Sequence, residues 1–252
     1  MGRESEKAAP RFYGVGVGPG DPELITLKAV RVLERVDVLA VPRSPGSSGS
    51  TALDIVRGAV DIEGKALLDI LMPMTRDGAE LRRARARAAD RIAASLAEGL
   101  DVAFITLGDP MLYSTFTYLV PLVTALAPGV EVTPVAGVTS ISAAAAASHR
   151  PLAEADERVV IIPAAYDMDE VRRALEGFDT VVLMKVNKLM DSIAGLIDEM
   201  GLSDGAVFAS RVGWDGRELV TSDIRSVRGE KLDYFSTLIV RRGAKGPKGA
   251  GR

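Results

Sequence analysis

Apolar positions along the chain switch repeatedly between a period of two and a period near 3.6, the periods of strand and helix. Short apolar runs at Phe12–Val17, Asp37–Val41, Lys65–Ile70, Asp101–Leu107 and Val130–Val135 predict strands. Between them, Pro22–Arg35 carries Leu24, Leu27, Val30 and Leu33 or Val32 at helical spacing. Thr51–Val60, Arg76–Glu98 and Leu112–Leu126 also read as helices. This alternation predicts α/β layering with mostly parallel strands, since a parallel return needs a long crossover. After Val135 the texture changes. An Ala-rich helix over Val138–Ala147 leads into the charged, irregular Ser148–Glu157. Strands are expected at Val159–Pro163, Thr180–Lys185, Gly205–Ser210 and Phe235–Val240, with a shorter one at Glu218–Ser222. Helices near Met168–Leu175 and Lys188–Met200 separate the first three of these. The change of texture places a boundary near residues 135–137. The expected architecture is therefore two α/β domains, 11–135 and 136–242. Residues 1–10 and 243–252 lack apolar side chains able to pack and read as disordered tails, the second one basic.

Composition narrows the chemistry more than the fold. The 252 residues include no Cys and one His, His149. That removes disulfides, thiolate zinc sites, iron–sulfur clusters and Cys nucleophiles, and leaves no His-rich metal site. A net charge of −3 offers no field to hold nucleic acid or an anionic membrane. With no signal-peptide pattern and no bilayer-length apolar stretch, a cytoplasmic location is expected. The remaining means are carboxylates, hydroxyls, backbone groups, Lys and Arg, or a reagent that arrives already reactive.

Three segments stand out. Tyr13–Glu23 (Y-G-V-G-V-G-P-G-D-P-E) has glycines at 14, 16, 18 and 20 between a strand and a helix, with Asp21 suited to an N-cap and Pro22 to the first helical position. It fails as a dinucleotide fingerprint: Pro19, Asp21 or Glu23 stands where the third glycine should be. No Gly-Lys-Ser/Thr follows, so a Walker loop fails too, and Asp21 would repel a pyrophosphate. An NAD-dependent oxidoreductase thereby loses its main support. Leu107–Phe116 (L-G-D-P-M-L-Y-S-T-F) places Gly108, Asp109 and Pro110 at a strand's carboxyl end, where α/β sheets bind ligands, with the hydroxyls of Tyr113, Ser114 and Thr115 close behind. Val135–Ser142 (V-A-G-V-T-S-I-S) repeats the arrangement with Thr139 and Ser140. By contrast, Arg83, Arg87 and Arg91 form a stripe that reads as a solvated helix face, since Glu80 and Asp90 flank it.

In this order, G-x-G-x-G-D-P-E-L-x-T-x-K-A (Gly16–Ala29), G-D-P (Gly108–Pro110) and G-V-T-S (Gly137–Ser140) resemble the tetrapyrrole methylases, a class of S-adenosylmethionine-dependent methyltransferases. The resemblance covers residues 12–242. Tyr113-Ser114-Thr115 after G-D-P-M-L, and D-Y-F-S-T-L-I-V (Asp233–Val240), are similar to the branch that methylates precorrin-2 at C-20; a corrin-pathway methylase acting at another ring carbon is the alternative. Ala136 before Gly137 departs from the family's commoner Pro-Gly.

The resemblance implies S-adenosyl-L-methionine folded between two α/β domains, a tetrapyrrole substrate and a homodimer. It assigns Gly108, Asp109, Pro110, Tyr113, Ser114, Thr115, Thr139, Ser140, Met184, Ala209, Ser210, Thr237 and Leu238 to the cofactor. Gly16, Gly18, Gly20 and Asp21 would then face the macrocycle, and Arg43 and Arg150 its carboxylates, with Arg76 and Arg211 as further candidates. Tyr234 and Asp109 are the expected catalytic groups; the proton that leaves the methylated carbon goes to Tyr234, Asp109, Lys185 or a carboxylate of the substrate itself, with Tyr234 favoured.

Overall fold

The computed structural model describes residues 9–47, 49–164 and 167–243, so the expected tails fall outside the described residues except at 9, 10 and 243. The chain divides into two compact units, Met1–Thr139 and Ser140–Arg252.

The first unit is one parallel sheet of β1 (Arg11–Gly16), β2 (Val38–Arg43), β3 (Ala66–Leu71), β4 (Val102–Thr106) and β5 (Glu131–Val135). Their order is β3-β2-β4-β1-β5. Helices α1 (Leu27–Arg35), α2 (Thr51–Ala59), α3 (Gly78–Ala97) and α4 (Phe116–Leu126) provide crossovers. Successive side chains on a strand leave opposite faces, so β1 serves two cores. Tyr13 and Val15 pack with Leu33, Leu53, Val56 and Ile105 on one side. Phe12 packs with Ile70, Ile92, Phe104, Phe116 and Leu119 on the other. The Phe116 ring centroid lies 5.2 Å from that of Phe12 and 6.4 Å from that of Phe104.

Two helix boundaries differ from expectation. Pro22–Leu24 is a 3-10 turn, capped by the Asp21 side chain, and α1 starts afresh after Thr26, whose hydroxyl accepts from Ala29 N–H. This break changes the buried face. Leu27 is 74% exposed while Ala29, Val32 and Leu33 are buried. Helix α4 begins at Phe116 rather than Leu112, because Tyr113 adopts φ 52° and interrupts any earlier turn.

The second unit holds α5 (Ser140–Ala147), β6 (Val159–Ile162), α6 (Met168–Gly177), β7 (Thr180–Met184), α7 (Met190–Glu199), β8 (Ala206–Ser210), β9 (Leu219–Thr221) and β10 (Ser236–Arg241). Its sheet order is β6-β7-β10-β8-β9. Only β6 and β7 are parallel; β10 runs antiparallel to both neighbours, and β9 to β8. The expectation of mostly parallel strands therefore describes the first unit and not the second. The last strand returns into the middle of the sheet, where Leu238, Ile239 and Val240 are at most 1% exposed. Its core gathers Leu183, Ile193, Ile197, Phe208 and Leu238. Among the described residues, no helix is long and apolar enough to cross a membrane.

Candidate active site

In the first unit the glycine positions are explained by packing. A Cβ on Gly14 would come within 2.5 Å of the Phe116 ring. One on Gly16 would lie 2.5 Å from the Gly108 carbonyl oxygen and 2.8 Å from Gly137 Cα. One on Gly137 would lie 2.2 Å from that same oxygen. Real Cβ atoms do not approach so closely, so three segments distant in sequence meet backbone to backbone only because Gly16 and Gly137 carry no side chain; Gly108 supplies the oxygen and adopts φ +67°. Gly18 has φ +81°, a conformation glycine adopts at no steric cost, and pairs with Gly108 through Gly108 N–H donating to Gly18 O at 2.8 Å. The expectation that Gly16 and Gly18 clear space for a macrocycle thus meets a second, internal reason for those glycines. Asp21 is engaged locally, its carboxylate accepting from Glu23 N–H at 2.8 Å.

Asp109 ties this junction together. Its Oδ1 accepts from Met111 N–H at 2.8 Å and its Oδ2 from Gly137 N–H at 3.0 Å. Both carboxylate oxygens therefore hold backbone, an arrangement suited to positioning the loop. Behind it, buried Pro110 precedes exposed Met111 and Tyr113, the latter in the left-handed region. Ser114 is buried; its hydroxyl donates to Thr106 Oγ1 at 3.0 Å and accepts from Phe116 N–H at 3.2 Å. Thr115 stands at the helix N-cap without a side-chain cap bond, and Thr139 is half-buried at the end of the unit. Arg43 is already committed, pairing with Asp69 at 2.5 Å.

In the second unit the register of β10 brings the assigned residues to one end of the sheet. Thr237 lies opposite Met184 on one side and Ala209 on the other, and Ser236 opposite Ser210. Ser210, Ser236 and Thr237 are 7%, 2% and 6% exposed, and among the described residues Ser236 Oγ has no hydrogen-bond partner. A buried hydroxyl without a partner is costly, so a polar group brought to Ser236 would relieve that cost. Ser140 opens α5, and Leu238 points its fully buried side chain into the core. Arg150 donates to the Asp204 carbonyl at 3.2 Å.

The strand ends carry features the sequence did not announce. Lys185 and Arg211, which follow β7 and β8, both adopt left-handed backbone, at φ 58° and 49°. Each donates its N–H to the chain entering β10, Lys185 to Ser236 O at 2.7 Å and Arg211 to Phe235 O at 3.0 Å. Tyr234, which directly precedes Phe235, is 38% exposed, with Lys185 Nζ 5.3 Å from its ring centroid. Non-glycine left-handed residues are uncommon and cluster at functional sites. The sequence offers Lys185 as a candidate base and Arg211 as a candidate partner for a substrate carboxylate, but residue type does not signal their left-handed backbone. Ser236 was within reach: it directly precedes Thr237 at the start of the same strand.

Comparison with known proteins shows the family. Residues 11–228 match the family model of the tetrapyrrole (corrin/porphyrin) methylases. The chain is 36% identical to a probable cobalt-precorrin-2 C(20)-methyltransferase of Methanocaldococcus jannaschii, over 94% of this chain and 98% of that one. It is 34% identical to the cobalt-precorrin-2 C(20)-methyltransferase of Salmonella typhimurium, over 92% and 96%. Among solved structures, a cobalt precorrin-4 methyltransferase aligns with TM-score 0.67 at 21% identity, covering 95% of this chain and 98% of that one. A uroporphyrin-III C-methyl transferase from Thermus thermophilus, complexed with S-adenosyl homocysteine, aligns with TM-score 0.62 at 22% identity, covering 92% and 97%. The chain belongs to the tetrapyrrole methylases.

Proposed function

We infer that the protein transfers a methyl group from S-adenosylmethionine to C-20 of precorrin-2 or its cobalt form, a step of cobalamin biosynthesis. The observation that carries this reading is the near full-length likeness to relatives named for that reaction, at 36% and 34% identity. A relative named for the metal-free substrate, from a Sinorhizobium species, is 31% identical over 91% of this chain.

The residues suit this cofactor. The glycine loop is occupied by its own packing and ends in an acidic cap, so it offers no phosphate cradle. The β8 and β10 ends instead present three shielded hydroxyls, one of them unpartnered. S-adenosylmethionine, when bound, supplies an electrophilic methyl on a sulfonium, which is a good leaving group. We assign Gly108, Asp109, Pro110, Tyr113, Ser114, Thr115 and Thr139 of the first unit, and Ser140, Met184, Ala209, Ser210, Thr237 and Leu238 of the second, to holding it. Asp109 acts there as a positioning residue through the backbone of Met111 and Gly137. Tyr234 Oη is assigned the relay of the proton that leaves C-20, its oxygen accepting that proton while its own hydroxyl proton passes to solvent. Since the methyl donor carries its own leaving group, placing the reactants and excluding water supply most of the rate. A homodimer working in the cytoplasm completes the reading, on the strength of the resemblance.

The test is incubation with anaerobic precorrin-2, with and without cobalt, and labelled S-adenosylmethionine. A new methyl located at C-20 by NMR supports the reading; a methyl on another ring carbon, or no transfer, overturns it. Tyr234→Phe should lower kcat with little change in S-adenosylhomocysteine affinity. Full turnover in that variant removes Tyr234 from its role.

A further inference from the structure

Beside the hydroxyl cluster, the same end of the second sheet carries an aromatic ladder. Trp214 and Phe235 have ring centroids 5.3 Å apart, and Phe235 and Tyr234 5.5 Å apart in an edge-to-face arrangement. A cation closes each end. The Arg211 guanidinium lies 5.4 Å from the Trp214 centroid and Lys185 Nζ 5.3 Å from that of Tyr234. Such spacings fall within cation–π range.

Several observations set this cluster apart from ordinary packing. Phe235 is 39% exposed and Tyr234 38%, two adjacent large rings left open to solvent. Lys185 forms no ion pair among the described residues. Arg211 donates to Asp233 Oδ2 at 2.5 Å, yet its Nε is buried without a partner. Burial acts to raise the Asp233 carboxyl, but the Arg211 hydrogen bond, the Phe235 N–H and the guanidinium charge outweigh it and leave it below the usual carboxylate range. Asp233 thus fixes the direction of the Arg211 side chain, which stays 32% exposed. A core would bury the rings.

We propose that Lys185, Arg211, Trp214, Tyr234 and Phe235 form a shelf for the flat, carboxylate-bearing face of the substrate, with the rings covering the macrocycle and Arg211 pairing with a peripheral carboxylate. The occupant is chosen by chemistry. A tetrapyrrole offers a wide π surface with anionic arms at its edge, which matches open rings flanked by cations. The shelf rests on the reading of the substrate as a tetrapyrrole. Among the arginines expected from sequence to meet the carboxylates, Arg211 is the one that lies beside the open rings, 5.4 Å from the Trp214 centroid.

Initial-rate kinetics on the full chain test it, using Trp214→Leu, Phe235→Leu, Arg211→Gln and Arg211→Lys. The expected result is a KM for precorrin-2 raised by about tenfold in the first three, a difference of roughly 1.4 kcal/mol. Arg211→Lys, which keeps charge but loses the planar fork, should fall between wild type and Arg211→Gln. Affinity for S-adenosylhomocysteine, measured by calorimetry, should stay near the wild-type value in all four. An unchanged KM for precorrin-2 in Phe235→Leu and Arg211→Gln overturns the shelf. So does a parallel loss of S-adenosylhomocysteine affinity, which would make the cluster a support for the strand ends. Should wild type fail to methylate precorrin-2, the functional reading falls instead. Equilibrium binding of uroporphyrin III to wild type and Phe235→Leu then tests the shelf alone: equal binding, or none to either, overturns it.

Discussion

Gly137 has the tightest of the three glycine contacts at the first unit's junction, with no space for even one carbon beside the Gly108 oxygen. Gly137→Ala must therefore push the G-D-P loop away from β1. The expected cost is on the order of 1–3 kcal/mol, seen as a lower urea midpoint, with a larger loss of S-adenosylhomocysteine affinity than of fold. Asp109→Asn tests the other half of the junction. The amide keeps one acceptor oxygen, so either Met111 N–H or Gly137 N–H loses its partner and faces a donor. A loss of about 1–3 kcal/mol of stability should accompany reduced cofactor affinity. Unchanged calorimetric affinity in Asp109→Asn would sink the positioning role. The glycines were visible in the sequence, and counting them excluded a phosphate loop. Their purpose was not visible, because it depends on Gly16, Gly108 and Gly137 meeting across more than a hundred residues of chain. The left-handed Tyr113, Lys185 and Arg211 were equally silent, since tertiary contacts rather than residue type impose their backbone.

At the level of elements, periodicity located most strands and helices but could not order them. Parallel crossovers follow from alternating strand and helix, and the first unit obeys that rule. The second does not, because a segment without regular structure carries the chain from β9 back to the centre. Side-chain anchors on α7 decide that path. Asp198 accepts from Arg225 at 3.1 Å, Arg228 at 2.7 Å and Ser203 at 2.5 Å, while Asp191 accepts from Gly229 N–H at 2.9 Å. Ile224 and Val227 are buried in the core between those anchors. The Ser203 hydroxyl and then the Arg225 hydrogen bond hold the Asp198 carboxyl at about 2, below its ordinary 3.8. A depressed carboxyl stabilises the fold above its ordinary value, and that contribution is lost as pH falls through the folded one. Wild type should therefore melt above Asp198→Asn at neutral pH, and the gap should close between about pH 4 and pH 2. A gap independent of pH in thermal scans would show that the carboxylate charge is not what anchors the segment.

The molecule as a whole is two sheets with separate cores, and this has a consequence for how it unfolds. The first unit's sheet is covered on both faces by its own helices, with Phe12, Phe104 and Phe116 on one side and Leu33, Leu53 and Ile105 on the other. The second unit closes over α6 and α7, where Ile193 is fully buried against Leu183, Phe208 and Leu238. Stability is distributed in cooperative units that follow such cores. Ile193→Ala opens a cavity in the second core and should cost roughly 2–5 kcal/mol there. Hydrogen-exchange mass spectrometry should then show faster exchange across β7, β8 and β10, while β1 and β4 keep wild-type protection. Because the hydroxyl cluster and the aromatic ladder lie at the end of that weakened sheet, precorrin-2 and S-adenosylhomocysteine affinities should both fall in Ile193→Ala. The shelf variants, by contrast, should weaken only the first. Equal acceleration of exchange in β1 and β4 would mean that the two sheets unfold as one block, and that cavity energetics cannot be assigned to either unit alone.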